Sequence, residues 1–516
     1  MMNPFPRRLA VVLLGGLLSA DLAQADDHTA HSPLLLAAAG YPSRSISVPD
    51  NGAVRRANPN SRQGTESIAP RVGGPNLGPT QTRPPTLENG GVGNGYPTRQ
   101  QPARLPAIPN AAATETTASI SSISKESPML RTTTLRKTLL ATLCASALLG
   151  LSVQATAATY QSETGTLTVD EVVGGLQHPW AVAFLPNAQG MLVTERTGNL
   201  RRVTPDGKLS APISGVPKVW VQGQGGLLDV ELSPDFAKDR MVYLTYSEAA
   251  SDGKTGGTAA GRARLSEDMT QLEGFTRIFQ QQPKLSVGNH FGSRIVFDRD
   301  GYMFIALGEN NDKATAQDLD KLQGKVVRLY PDGTVPKDNP FVGQKNVRPE
   351  IWSYGHRNQQ GAALNPWTGT LWTNEHGPRG GDEINIIERA ANYGWPISTF
   401  GIDYSGQPIA ESKGKIVEGV KNPFHVWEKS PGVSGMAFYD SSTFKAWDHN
   451  VFIGALASEE LIRLELKDDK VVHEERLLGE LKSRIRDVRQ GPDGYVYVLT
   501  DEDNGKLLKV GLKVEQ

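Results

Sequence analysis

The chain has 516 residues, a formal net charge of -1, 54 Gly, 34 Pro and one cysteine. That balance excludes the strongly basic surface through which proteins bind nucleic acid by counterion release. A lone cysteine excludes an intrachain disulfide and gives no basis for a thiolate metal cluster.

Residues 1–25 read as an export signal: Arg7 and Arg8, the apolar run from Leu9 to Leu18, then Ala23-Gln24-Ala25. Residues 26–128 are rich in Pro, Gly, Ser, Thr, Asn and Arg and lack apolar periodicity. Such a segment buries too little surface to offset its ordering entropy and is expected to be disordered. Residues 129–157 repeat the signal pattern, with Arg131, Arg136 and Lys137, an apolar run from Leu139 to Leu151, and small residues at Ala155-Thr156-Ala157. Both apolar runs are too short to span a bilayer, so no stable membrane insertion is expected and the mature protein is expected to be periplasmic or secreted. Met129 is the expected working start, with a genuine secreted linker as the alternative. Cys144 falls inside the second signal, so a product cleaved near residue 156 or 158 carries no cysteine.

Residues 160–516 repeat one pattern: a short apolar strand, a turn built on Pro, Asp, Asn or Gly, and a second apolar strand. Ala181 to Phe184 leads through Pro186-Asn187 to Met191–Thr194, and Asp229 to Leu232 leads through Pro234-Asp235 to Val242–Leu244. Ile295–Phe297 leads through Asp298 to Met303–Ala306, and Ala362–Leu364 through Pro366 to Leu371–Thr373. Met436–Phe438 leads through Asp440 to Val451–Ile453, and Asp487–Arg489 through Pro492-Asp493-Gly494 to Val496–Leu499. The turns recur every 50 to 75 residues or so, a spacing that suits four-stranded blades with variable loops. The expected fold is all-β, a six-bladed propeller of four-stranded antiparallel blades, with Leu167–Val169 completing the last blade. A two-sheet sandwich is the alternative. Helix is expected only from Ala316 to Leu322.

Loops entering the innermost strands of a propeller surround one end of its channel, where a ligand would sit. Those loops are His178-Pro179-Trp180, Gln222 to Gly225, Gly288 to Gly292, His356-Arg357-Asn358, Ser434-Gly435 and Arg484-Ile485-Arg486. Arginines with histidine suit an anionic, planar, oxygen-rich ligand, because guanidinium bonds carboxylates bidentately and stacks on π faces. His290 lies in a Gly- and Asn-rich approach loop and has the pKa range of a general base. His178, beside Pro and Trp, reads as packed structure, and His425, His449 and His473 have no metal-like spacing. The glycines of Gln222 to Gly226 lack the βαβ context of a dinucleotide site. From Asn374 to Asn385, carboxylates, amides and glycine carbonyls offer the hard oxygens that suit Ca²⁺, with a hydrogen-bonded loop as an equal alternative.

Gly288-Asn289-His290-Phe291-Gly292, Gly355-His356-Arg357-Asn358, Glu375 to Asn385, Asn392-Tyr393-Gly394-Trp395-Pro396 and Arg484-Ile485-Arg486-Asp487 together resemble the soluble PQQ-dependent aldose sugar dehydrogenases. The resemblance covers residues from about 165 to 512. It implies a periplasmic quinoprotein that oxidises aldoses at C1 and passes electrons to an external acceptor. His290 would be the base, Glu309 its orienting carboxylate, and Arg357 the group polarising the reacting carbonyl. Gln224, Asn358, Tyr404, Arg484 and Arg486 would bind PQQ together with Arg357. Carbonyls of Gly377 and Pro378 would hold one Ca²⁺, and Glu383 with the Tyr393 carbonyl a second, structural one. The chain departs from the family in Gln359, where many relatives carry Pro, and in Ala457, where a PQQ-contacting lysine is often found. The substrate expected is a small aldose, and the protein a monomer or homodimer. A calcium-dependent lactonase-like hydrolase and a non-catalytic sugar-binding propeller are the competing readings.

Overall fold

The computed structural model describes residues 158–468 and 470–513. Both signal-like segments, the segment between them and Cys144 lie outside the described residues.

Six antiparallel sheets follow one another along the chain and form the blades of a propeller. Blade 1 has three strands, Pro179–Phe184, Met191–Glu195 and Asn199–Val203. Blades 2 to 5 have four strands each and start at Leu227–Leu232, Gly292–Phe297, Gln359–Leu364 and Val433–Tyr439. Blade 6 has five: Ile485–Gln490, Val496–Thr500 and Gly505–Leu512, closed by Gly165–Leu176 and edged by Ala158–Ser162. The closing strand runs antiparallel to the last one, with Leu167 opposite Leu512 and Val169 opposite Val510. The expected six-bladed ring and its closing strand are therefore present, although the first and last blades depart from four strands.

All six expected turns join a first strand to a second, and their side chains explain why. Asp298 Oδ1 accepts the N–H groups of Asp300 and Tyr302, and Asn365 Oδ1 those of Trp367 and Thr368. Such carboxylate and amide turns replace ladder bonds with local ones and end the strand. The expected helix from Ala316 to Leu322 is absent; a 3₁₀ turn spans Lys313–Ala316 and irregular turns follow. The carbonyls a helix would need are taken elsewhere. Lys325 Nζ takes those of Thr315 (2.8 Å) and Ala316 (3.1 Å), and Gly355 N also donates to Ala316.

Apolar clusters lie between neighbouring blades. Leu227, Leu244 and Ala259 pack on Leu192 and Leu200 between blades 1 and 2, and Leu499 and Leu507 on Val182 and Val193 between blades 6 and 1. The axis is different: it is filled by charge. Asp229 Oδ1 receives Arg294 Nη1 and Arg489 Nη2, both at 3.0 Å; Asp487 receives Arg294 Nη2 at 2.9 Å and Arg489 Nε at 3.1 Å. This plug ties the innermost strands of blades 2, 3 and 6 together.

In every blade the pairing of the first strand with the second shifts register near the first strand's start, as between Gly292 and Ile295 or Gln359 and Gly361. A bulge there bends the strand and re-aims the residues just before it. Those are the residues of the rim loops.

Candidate active site

His290 enters blade 3 with φ of 52°, in the left-handed region. It is held there from both sides. Gln224 Oε1 accepts its N–H at 2.9 Å, and Asn310 Nδ2 donates to its carbonyl at 3.1 Å. A Cβ at position 308 would run into that carbonyl, so Gly308 is what allows the approach. The ring is fully buried. Nδ1 lies 2.7 Å from Glu309 Oε2, and Nε2 has no hydrogen-bond partner. With Nδ1–H donated to the carboxylate, the Nε2 lone pair is the free basic site. Burial pushes the imidazole pKa below its ordinary value; Glu309 opposes this and Arg357 adds to it. The ring is thus neutral near pH 7 and able to accept a proton.

Arg357 and Asn358 enter blade 4 beside it. The Arg357 N–H is accepted by Glu375 Oε2 at 2.5 Å, and its carbonyl accepts Glu309 N–H at 2.9 Å. Its guanidinium donates to the His376 carbonyl at 3.2 Å and lies 5.2 Å over the Trp395 ring, while its buried Nε has no partner. Asn358 Oδ1 accepts Gly292 N–H at 3.3 Å, linking the loops of blades 3 and 4.

Arg484 and Arg486 enter blade 6 and share Asp501 Oδ2 at 3.3 and 2.8 Å. Burial raises the Asp501 pKa, but Arg486, His178 and Arg484 outweigh it, and the carboxylate is held far below its usual range. Arg484 also donates to the Leu456 carbonyl at 3.1 Å, which sets a cation beside Ala457. His178 is engaged at both ring nitrogens, by Asp501 (3.0 Å) and Asp503 (2.8 Å), consistent with structure rather than chemistry. Trp180, Gln224, Phe291, Gly292, Gln360 and Arg486, with Leu228, line one cavity of about 10 Å³, so blades 1, 2, 3, 4 and 6 converge on the rim.

The segment from Asn374 to Asn385 is only partly free for a cation. Asp382 accepts three backbone N–H groups, from Gly377 (3.0 Å), Gly432 (2.8 Å) and Val433 (3.1 Å). The Pro378 carbonyl accepts the Tyr404 hydroxyl at 3.2 Å, and burial pushes the Tyr404 pKa up against the opposing charge of Arg357. Glu383 stands opposite Glu375 in the sheet, and Asn385 Nδ2 donates to both at 2.9 Å. Burial first, then Glu375, raises the Glu383 pKa well above its usual value. Asn385 Oδ1 has no donor, and the Tyr393 ring stacks on His356 at 4.6 Å. Among the described residues no three His, Cys, Asp or Glu side chains cluster as a metal set, so a cation would rely largely on carbonyl and amide oxygens.

Several residues escaped the sequence reading. Gln360 accepts from Arg486 Nη1 at 2.9 Å and donates to Asn358 Oδ1 at 3.1 Å, joining two candidate ligand-binding residues. Asn310 and Asp501 act as described above. Glu375 was read only as part of a candidate Ca²⁺ loop; the signal for its partnership with His356 is that it follows that residue by 19, as Glu309 follows His290.

The chain matches the glucose / sorbosone dehydrogenase family over residues 176–509. It is 58% identical to the aldose sugar dehydrogenase YliI of Escherichia coli (strain K12) over 345 residues, 67% of this chain and 93% of that protein. A glucose dehydrogenase crystal structure is 62% identical, with a TM-score of 0.66 over 67% of this chain and 100% of the other. The PQQ-bound aldose sugar dehydrogenase of Streptomyces coelicolor is 30% identical, with a TM-score of 0.56 over 67% of this chain and 98% of that one. The chain belongs to the glucose / sorbosone dehydrogenase family, a family of sugar-oxidising oxidoreductases built on this propeller.

Proposed function

We propose that the protein is a PQQ-dependent aldose sugar dehydrogenase that oxidises its substrate at C1 to the lactone. The observation that carries the reading is the buried His290–Glu309 pair with a free Nε2, set beside Arg357 on a rim lined by further arginines. The residues fit a flat, carboxylate-bearing cofactor. Arg357 and Arg484 each keep a buried Nε without a partner, and guanidinium is the group that bonds carboxylates in pairs and stacks on rings. Gln224, Arg357, Asn358, Tyr404, Arg484 and Arg486 would hold it. When bound, PQQ supplies the two-electron acceptor for the hydride that leaves C1.

His290 Nε2 takes the proton of the anomeric hydroxyl as that hydride departs. Glu309 stabilises the imidazolium as it forms and fixes its orientation. Arg357 offers positive charge where negative charge develops, in a buried setting where such an interaction is strong. Carbonyl oxygens of Gly377 and Pro378 would hold a Ca²⁺ beside the cofactor. Glu383 and the Tyr393 carbonyl would hold a second, with Asn385 Oδ1 as a further hard oxygen and relief of the Glu375–Glu383 repulsion as its gain. An external acceptor would be needed to take up the electrons. Export to the periplasm or beyond rests on the two signal-like segments. Among the described residues no helix is long and apolar enough to cross a membrane.

The test is to add PQQ and Ca²⁺ to the purified protein and follow dye reduction with a panel of aldoses. Sugar-dependent reduction that requires PQQ is expected; no reduction at saturating PQQ would overturn the reading.

A further inference from the structure

Blade 4 carries a second buried histidine–glutamate pair that the reaction does not use. His356 Nδ1 lies 2.8 Å from Glu375 Oε1, and Ser353 Oγ lies 2.9 Å from His356 Nε2. All three residues are buried. The direction of the chain follows from its donors: Ser353 O–H donates to Nε2, and Nδ1–H donates to Glu375. Glu375 Oε1 also accepts Asn385 Nδ2 at 2.9 Å, and Oε2 accepts the Arg357 N–H at 2.5 Å. Arg357 is the residue next to His356, and its carbonyl accepts the Glu309 N–H. The Arg357 residue is therefore clamped at its amide by the Glu375 side chain and at its carbonyl by the backbone of the residue that orients His290.

We propose that Ser353, His356 and Glu375 form a positioning chain that sets Arg357 and Glu309 relative to each other, and so aligns the guanidinium with the His290 base. The proposal rests on the reading of His290 and Arg357 given above. Both ends of the clamp are hydrogen bonds to one residue, so a shift at Glu375 moves the arginine and the base's partner together. Misplacement of about 1 Å at a distance from the chemistry is enough to cost about a hundredfold in rate.

Glu375→Gln keeps the volume but leaves one acceptor oxygen where two are needed. Either the Arg357 N–H or the His356 and Asn385 donors lose their partner. His356→Gln and Ser353→Ala cut the chain progressively further from Arg357 and are the safer variants for folding. Each purified apoprotein would be titrated with PQQ, following quenching of tryptophan fluorescence (Trp395 lies beneath Arg357). Melting temperature, and kcat and KM for an aldose at saturating PQQ, would be measured in parallel.

The expected result is graded. In Glu375→Gln, PQQ affinity falls about tenfold and kcat of the loaded enzyme falls about ten- to a hundredfold with KM little changed; His356→Gln loses less, and Ser353→Ala least. Wild-type PQQ affinity and wild-type kcat in loaded His356→Gln and Ser353→Ala, whatever their melting temperatures, would overturn the proposal and leave the chain a purely structural brace. A wild-type protein that takes up no PQQ and oxidises no aldose would overturn the site reading first, and this proposal with it.

Discussion

Blades 3 and 4 each seat a histidine just before the first strand and a glutamate at the end of the second or just past it, 19 residues apart, with Nδ1 at 2.7 Å from the carboxylate in one and 2.8 Å in the other. The two pairs are buried alike. They differ at the other nitrogen: Ser353, from the last strand of blade 3, occupies Nε2 of the blade 4 histidine, and nothing occupies that of the blade 3 histidine. The backbone differs too, because His290 is at φ of 52° whereas His356 is not among the residues of positive φ. The left-handed turn at His290 is held by a glutamine from blade 2 and an asparagine from blade 3, the kind of over-determination that local strain requires. One repeat unit thus leaves Nε2 open at the proposed base and capped at the proposed brace.

Replacing His290 with Gln breaks the comparison at its strongest point. Loss of the base should lower kcat by roughly 10²- to 10⁴-fold in dye-reduction assays, with PQQ absorption retained. Glu309→Gln should cost less, about ten- to a hundredfold, and should also move the acid limb of the pH–rate profile. The sign is fixed by the pair: Glu309 raises the His290 pKa, so removing its charge lowers that pKa and shifts the limb to lower pH. In the wild type the limb itself should fall below the ordinary histidine value of about 6.5, because burial of His290 dominates. Arg294→Met strikes beneath both blades. It leaves Asp229 and Asp487 short of a guanidinium in the plug and should destabilise the protein by about 3–5 kcal/mol in denaturant melts.

The smallest effect sharpens the contrast through stability. His290 has a folded pKa below its unfolded one, so the unfolded chain binds more protons just below pH 6.5 or so. Stability is then lost as pH falls from that value toward the folded pKa, with a slope of at most about 1.4 kcal/mol per pH unit for the group. His290→Gln should remove that part of the slope in denaturation midpoints measured across the window. His376, whose pKa burial and Arg357 also depress, should keep contributing in the variant.

Much of the ring was legible because its signals are local. Six turns with Pro, Asp, Asn or Gly between apolar strands mark six inner hairpins, and each hairpin forms where its turn residues stand. The His290–Glu309 partnership was legible only through family resemblance, and the geometry then gave it a distance. The axial plug and the Gln360 contacts were not legible. Arg486 and Gln360 are 126 residues apart, and Arg294 and Arg489 meet at Asp229 from different blades, so no local pattern announces them. The expected helix after Ala316 failed for a related reason: a lysine buried in the next strand claims the Thr315 and Ala316 carbonyls that local periodicity would have assigned to a helix.

The clasp of blade 6 sets an order on biosynthesis. Gly165–Leu176 is among the first strands of the propeller to be made, and its partner Gly505–Leu512 is the last. Until the ribosome has released that last strand, the early one presents an unpaired edge, which is a template for pairing with other chains. A prematurely terminated product is therefore an open arc with two raw ends, exposed to aggregation and to proteases. Joining distant ends adds little closure entropy once the chain is long, so completion rather than distance is the hurdle. Quality control need only sense whether the ring has shut.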